Sequence, residues 1–265
     1  MSWVLAVRVF VPFAFGYLCV SIFRSINAVI APDLVSDLGL SASGLGFAIS
    51  AFFLSATIFQ LPCGILLDRY DPRRVYAILL LVCALGAVTI AFAVNVQLLA
   101  LGRALVAIGV ASSAVASYKV YATWFSQDRL PLVNGLSLAA GGMGLMLGTA
   151  PVEAGLEIVD WRAIHLFAGG ALVVVAMLVI LVAPERKPES VGLTLLDQIK
   201  GMNVIVGSIV FWRAAPLMMA VVGIFACMTQ LWVGPWVRDV AGISAQQAAN
   251  LLLVLAASMT LAGLL

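Results

Sequence analysis

Charge is scarce in this sequence. Asp, Glu, Lys and Arg make up 10% of the residues while hydrophobic residues make up 64%, whereas soluble domains are about a quarter charged and about half apolar. A water-soluble chain of this size has no way to hide so much apolar surface, so lipid is the solvent for most of it. Histidine occurs once, at His165. The four cysteines, Cys19, Cys63, Cys83 and Cys227, lie in apolar runs with no C-x-x-C pair. That argues against a disulfide framework or a zinc site and for small buried apolar roles. A G-x-x-x-x-G-K-S/T stretch is absent, so these residues offer no P-loop for ATP. No carboxylate sits deep in an apolar run. The clustered His, Asp, Glu or Cys of a membrane-embedded enzyme are therefore missing. The expectation is a non-enzyme with no catalytic residue, no metal, no cofactor and no nucleic-acid partner.

What is present is a succession of apolar runs, each about 20 residues or more, the length that crosses a bilayer as a helix. They fall at about 7–31, 44–66, 75–95, 98–124, 132–155, 164–183, 213–234 and 246–265. The fold class predicted is an all-α, polytopic transmembrane bundle with seven or eight spans. Met1 to Arg8 lacks a small-residue cleavage pattern and reads as the start of the first span. Turn and charge signals separate the runs: Pro32-Asp33 with Gly39-Leu40-Ser41, Asp68 to Arg74, Asn95-Val96-Gln97, Ser126 to Arg129, Asp160-Trp161-Arg162 and Pro184 to Pro188. With the N-terminus in the cytoplasm, Arg8, Arg69, Arg73, Arg74, Lys119, Arg129, Arg186, Lys187, Lys200 and Arg213 fall on the inner side. Arg162 and Arg238 fall outside. The positive-inside rule thus fixes the N-terminus as cytoplasmic. The protein is expected in the cytoplasmic (inner or plasma) membrane with the lipid bilayer as its surroundings. From Pro184 to about Phe211 a charged linker leads into an amphipathic stretch suited to the membrane surface.

The sequence also repeats itself. APDLVSDLGLSAS at 31–43 aligns without gaps on GPWVRDVAGISAQ at 234–246, pairing Pro32 with Pro235, Gly39 with Gly242, Ser41 with Ser244 and Ala42 with Ala245. Two parallel halves so related are a known transporter plan. On that plan the whole would have roughly 400 residues, about twice the repeat offset. Leu265 corresponds to a position inside the second helix of the first half, so a partial sequence is expected, with a natural short form as the alternative.

Gly64-Ile-Leu-Leu-Asp68-Arg69-Tyr-Asp-Pro-Arg73-Arg74 joins the second and third spans. Here the chain resembles the major facilitator superfamily, whose members carry G-x-x-x-D-R-x-G-R-R/K at this place. Gly64, Asp68, Arg69 and Arg73 match, with Arg74 beside them; Asp71 and Pro72 replace a glycine and a basic residue. Gly64 would let two helices approach closely. Asp68 would accept hydrogen bonds from an arginine and a neighbouring helix N-terminus. The loss of the turn glycine at Asp71 calls the loop geometry into question. The resemblance implies 12 helices in two bundles that rock about a central site. On this chain 1–184 would form the N-terminal six-helix bundle, 185–211 a cytoplasmic linker and 212–265 the start of the C-terminal bundle. In the fifth span Gly135, Gly144 and Gly148 fit the first part of the family's antiporter motif, and equally fit a small-residue face for helix packing.

Arg24 is the most informative single residue. A charge two-thirds of the way along the first span is expensive and marks a functional site by default, and its planar fork suits a carboxylate or phosphate. Ser21, Ser25 and Asn27 lie close by. Snorkelling to the outer surface is the competing reading. Arg103, near the outer end of the fourth span, has the same two readings, and the family resemblance links it to proton coupling. Candidate substrate contacts are Arg24, Asn27, Arg103, Gln230 and Trp232; Tyr118 and Lys119 are placed at an inner vestibule or helix end. Glu153 and His165 are the visible candidates for proton coupling. The third and sixth spans are almost uniformly apolar and are expected to face lipid. The function expected is secondary transport of a small solute, with an organic anion preferred because Arg24 has no deep acid to oppose it. A proton-coupled drug exporter is the alternative, and a non-transport seven-helix protein the third reading. The partners expected are a small-molecule substrate and a coupling ion, proton or sodium, acting on a monomer.

Overall fold

The computed structural model describes residues 3–185, 206–228, 233, 236–237 and 240–262, and its described secondary structure is helical. The helices are α1 (Trp3–Leu38), α2 (Ala42–Arg69), α3 (Pro72–Ala91), α4 (Val96–Trp124), α5 (Leu130–Leu147), α6 (Ala150–Leu156), α7 (Trp161–Val182), α8 (Ile209–Cys227) and α9 (Ala245–Ala262). Six stretches are long and apolar enough to cross a membrane, α5 and α6 counting together as one. α8 and α9 fall on the seventh and eighth expected spans and are shorter as described. The arginine-rich end of the bundle is called the inner end below.

α1 is the centre of the bundle. It packs on α4, α5 and α7, while α4 also packs on α2 and α3, and α3 on α7. The buried face of α1 carries Val9, Phe13, Tyr17, Val20, Phe23, Ile26, Ile30 and Leu34, spaced three or four apart as one helix face requires. Lipid offers apolar groups no incentive to leave it, so close backbone approach does much of the binding between helices. At Gly86 a Cβ would stand 2.6 Å from the Val106 amide nitrogen and 2.7 Å from the Gly102 carbonyl oxygen. α3 and α4 therefore touch backbone to backbone.

Capping residues set several helix starts. Ser41, Asn95 and Asp160 each accept a backbone N–H in the first turn of α2, α4 and α7, satisfying donors that a helix start leaves open. At α3 the capping residue is Asp71, whose side chain accepts from the Arg73 N–H, with Pro72 as the first helical residue. Asp71 has φ −55°, so this turn needs no glycine. An acceptor followed by proline is a good helix start, which resolves the loop question raised by the sequence.

The repeat has a matching geometry. Gly39 and Gly242 have φ of 59° and 66°, and no other described residue has a positive φ. Each lies two residues before a serine that caps the next helix. Ser41 Oγ accepts from Gly44 N–H at 3.1 Å, and Ser244 Oγ accepts from Gln247 N–H at 3.3 Å. At the second site Gln247 Oε1 accepts in return from Ser244 N–H at 3.1 Å, a reciprocal capping box.

Several expectations are corrected. Of the two signals at the end of α1, Pro32-Asp33 does not stop the helix, which runs on through Pro32 to Leu38 and the Gly39-Leu40-Ser41 turn. The helix stops at Gly39, where the Leu40 N–H reaches back to the Val35 carbonyl at 3.1 Å, a left-handed glycine stop. The fifth span is broken between α5 and α6 at Gly148-Thr149, just before Pro151, because proline cannot continue the hydrogen-bond ladder. α3 is not a lipid-facing helix throughout. Ile78, Leu81, Leu85, Val88 and Phe92 are exposed, whereas Tyr76, Leu80, Cys83 and Ala87 are buried. Both lipid and protein interior are apolar, so uniform composition leaves the two faces indistinguishable in sequence. Cys19, Cys63 and Cys83 are buried as expected, but Cys227 is exposed, on a helix whose described side chains are nearly all exposed. α9 packs on α5 and α6. Residues 186–205, which include the amphipathic stretch, lie outside the described residues.

Candidate functional site

Arg24 is half-buried on α1. No carboxylate pairs with it among the described residues. Its guanidinium lies within electrostatic reach of the Tyr118 phenol on α4, which also senses Tyr17 on α1. Tyr118 is thus linked electrostatically to Arg24 and to Tyr17 across α1 and α4. The sequence reading missed Tyr17, although it stands two turns before Arg24, at a spacing that shares its face. Asn27 is half-buried, and its Nδ2 donates to the Phe23 carbonyl at 3.2 Å.

α5 fixes the rotation of α1 around Arg24. A Cβ at Gly141 would stand 2.7 Å from Tyr17 Cε1. At Gly144 it would strike the Leu18 carbonyl oxygen and stand 2.8 Å from Ser21 Cβ. At Gly148 it would strike Ser25 Oγ and stand 2.7 Å from the Ile22 carbonyl oxygen. Ser25 Oγ in turn donates to the Leu145 carbonyl at 2.8 Å. Gly144 and Gly148 thus lie where α5 and α1 come closest among these glycines. Gly135 is a correction: nothing described lies within 4 Å of a Cβ there. Nine residues before Gly144, it lies on the opposite face of α5 from the stripe that meets α1.

Arg103 is enclosed. It is 2% exposed on α4, so it does not snorkel to the outer surface. His165, on α7, is 1% exposed; its Nδ1 pairs with the Trp161 carbonyl at 2.8 Å, and it is coupled electrostatically to Arg103. Phe23 packs against the His165 ring with centroids 6.1 Å apart. Glu153 is half-buried on α6. Near the outer end, Asp37 Oδ2 accepts from Trp161 Nε1 and from Arg162 Nη1, both at 2.9 Å. Arg162 also lies 4.2 Å from the Trp161 ring centroid. This brace ties α1 to α7 and was not foreseen, because neither partner lies in an obvious motif. Gln230 and Trp232 lie outside the described residues.

At the inner end, a cavity of about 360 Å³ opens between α1, α2, α4 and the end of α7, lined by Phe13, Asp68, Arg73, Lys119, Thr123 and Pro184 among others. Asp68 pairs with Lys119 of α4. That replaces the expected arginine and helix N-terminus, and it makes Lys119 more than a helix-end anchor. Gly64 is a second correction, with nothing described within 4 Å of a Cβ. Arg73 pairs with Asp71 at 3.4 Å and Glu185 at 3.3 Å, and it donates to the carbonyls of Ile180 and Ala183. Arg74 pairs with Glu185 at 2.8 Å, and Arg8 donates to the Val182 carbonyl at 3.1 Å. Cations on the last carbonyls of α7 suit the negative end of its dipole. Arg69 lies 5.9 Å from the Tyr70 ring centroid.

The family model of the Major Facilitator Superfamily matches residues 13–265. The chain belongs to this superfamily. Among curated relatives it is 31% identical over 142 residues to the "Uncharacterized transporter YybO" of Bacillus subtilis, covering 54% of this chain and 33% of that protein. It is 28% identical over 177 residues to the "Probable L-galactonate transporter" of Escherichia coli, covering 66% and 38% respectively. To the "Probable galactarate/D-glucarate transporter GudP" of Escherichia coli it is 29% identical over 164 residues, covering 58% and 36%. The matches span little more than a third of the length of these relatives. Among solved structures the superfamily fold recurs in a bacterial homologue of the human lysosomal transporter Spinster, in an inward-facing and unoccupied conformation. The TM-score is 0.73 at 17% identity, covering 97% of this chain and 60% of that one.

Proposed function

We propose that this chain supplies the first bundle and the start of the second bundle of a secondary transporter that moves a small organic anion by alternating access. The observation that carries the reading is Arg24: a half-buried guanidinium well inside a spanning helix, with no described carboxylate opposing it and the Tyr118 phenol within electrostatic reach. A charge in that position is retained for a purpose, and a guanidinium fork meets a carboxylate with two hydrogen bonds. The likeness to proteins named as sugar-acid transporters supports an anionic, hydroxylated cargo. On this reading residues 1–184 form the N-terminal bundle, 185–211 the linker and 212–265 the start of the C-terminal bundle. Asn27 and Tyr118 contact the cargo beside Arg24, and Gln230 and Trp232 approach it from the second bundle. The inner cluster of Asp68, Arg69, Arg73, Arg74 and Lys119 is the part that opens and closes. The protein works as a monomer in the cytoplasmic membrane, is not an enzyme, and draws on a proton or sodium gradient, with Glu153 and His165 as the groups at which a proton would be held.

The test is uptake of labelled galactonate and glucarate into vesicles carrying the protein, with and without Arg24→Gln. The reading expects uptake of at least one sugar acid, abolished in the variant. Uptake that survives Arg24→Gln unchanged overturns it.

A further inference from the structure

Arg103 poses a separate problem of charge. Its side chain is 2% exposed, and among the described residues no acceptor reaches Nε or Nη1. The described ion pairs do not include it. Two acids at the outer ends of α1 and α7 are already engaged: Asp37 serves Trp161 and Arg162, and Asp160 caps α7. A guanidinium cannot shed its proton in a protein, and burying an unopposed charge is far more costly than burying an unpaired dipole. Water would satisfy the donors but leave the charge uncompensated.

The surroundings restrict what could compensate it. Arg103 stands seven residues into α4, about 10 Å below the outer end of that helix. α4 packs on α1, α2 and α3, and α7 closes on α1 and α3. The adjacent Gly102 fits so tightly on α3 that a Cβ there would stand 2.7 Å from Ile90 Cγ1 and 2.9 Å from the Gly86 carbonyl oxygen. A carboxylate of a second bundle, or a sugar acid, would have to enter the bundle interior to reach the guanidinium. A monatomic anion needs far less room. Phe23 and the His165 ring pack together on α1 and α7, and the imidazole is the polar group electrostatically linked to Arg103.

We propose that Arg103 holds a small monovalent anion of the halide class inside the six-helix bundle, at a site separate from Arg24. The anion is a resident ion that neutralises the buried guanidinium. The site loads from the outer end, since Arg103 lies near that end of α4.

The experiment is a thermal-unfolding titration of the purified protein with sodium chloride and with sodium bromide, at constant ionic strength set by sodium methanesulfonate. The expected result is a saturable rise in melting temperature with either halide. It persists in Arg24→Gln and disappears in Arg103→Met, which without halide is no less stable than the unsubstituted protein. A melting temperature indifferent to halide, or a response retained in Arg103→Met, overturns the proposal. Should Arg103→Met fail to fold, bromide anomalous diffraction from the unsubstituted protein decides. A peak within hydrogen-bonding reach of the Arg103 guanidinium supports the site, and its absence at saturating bromide overturns it. An equal rise with methanesulfonate alone overturns the halide assignment.

Discussion

Adding one methyl group at Gly144 should loosen the helix pair that presents Arg24. A Cβ there strikes the Leu18 carbonyl oxygen and stands 2.8 Å from Ser21 Cβ, both part of α1, so no flexible side-chain end can swing aside. Overpacking of this kind costs roughly 1–3 kcal/mol, sometimes more. Replacing glycine by alanine inside a helix returns up to about 1 kcal/mol. The net expectation for Gly144→Ala is a loss of about 1–2 kcal/mol. Gly135→Ala, on the same helix with nothing described within 4 Å of its Cβ, receives the helix gain without the clash. The two variants should therefore differ by the overpacking cost alone, about 1–3 kcal/mol, or roughly 2–12 °C in melting temperature for a protein of this size. Tryptophan-fluorescence melts of both variants in one detergent give the difference directly. If Gly144→Ala melts at or above Gly135→Ala, α5 does not grip α1 through this stripe.

Other consequences follow from the two ends of the bundle. Asp71→Ala removes the cap of α3 and a partner of Arg73 and Arg74; a loss of about 1 kcal/mol in thermal stability is expected, and an unchanged melt contradicts the capping role. Lys119→Glu places like charges beside the half-exposed Asp68, and the swapped pair Asp68→Lys with Lys119→Glu should recover stability. The coupling in a double-mutant cycle should lie at about 0.2–1 kcal/mol, and a coupling of zero means that the pair does not form. Asp37→Ala leaves Trp161 Nε1 without its acceptor and should cost about 1–3 kcal/mol, with the tryptophan emission shifting as the brace opens.

The sequence carried the helices, the orientation and the repeat clearly, because each depends on patterns that survive any packing: long apolar runs, clustered arginines and a glycine-x-serine helix start. Gly39 and Gly242 share their left-handed backbone, as a true duplication requires. The contacts between helices were much less legible. α3 has an interior face and a lipid face built from the same residue types, and Gly135 and Gly144 look alike in sequence although one touches α1 and the other touches nothing described. The resemblance in the loop between α2 and α3 pointed to the right residues but to the wrong partners for Asp68. Lys119 lies a whole helix away in sequence, and only the fold brings it there. Arg24 and Arg103 read as twins along the chain. In the fold one is half-buried within electrostatic reach of the Tyr118 phenol, and the other is enclosed and coupled electrostatically to His165.

The central claim is that Arg24 binds the carboxylate of the cargo, and ligand-induced thermal stabilisation tests it most directly. The protein in detergent would be heated with a sugar acid such as galactonate or glucarate, with a neutral sugar and with a cationic drug, each with and without Arg24→Gln. The account predicts stabilisation by a sugar acid that weakens in the variant by roughly 10- to 100-fold in affinity, the worth of a charge-assisted hydrogen-bonded pair. Stabilisation by the cation or the neutral sugar alone, or by the acid equally in both proteins, would contradict it.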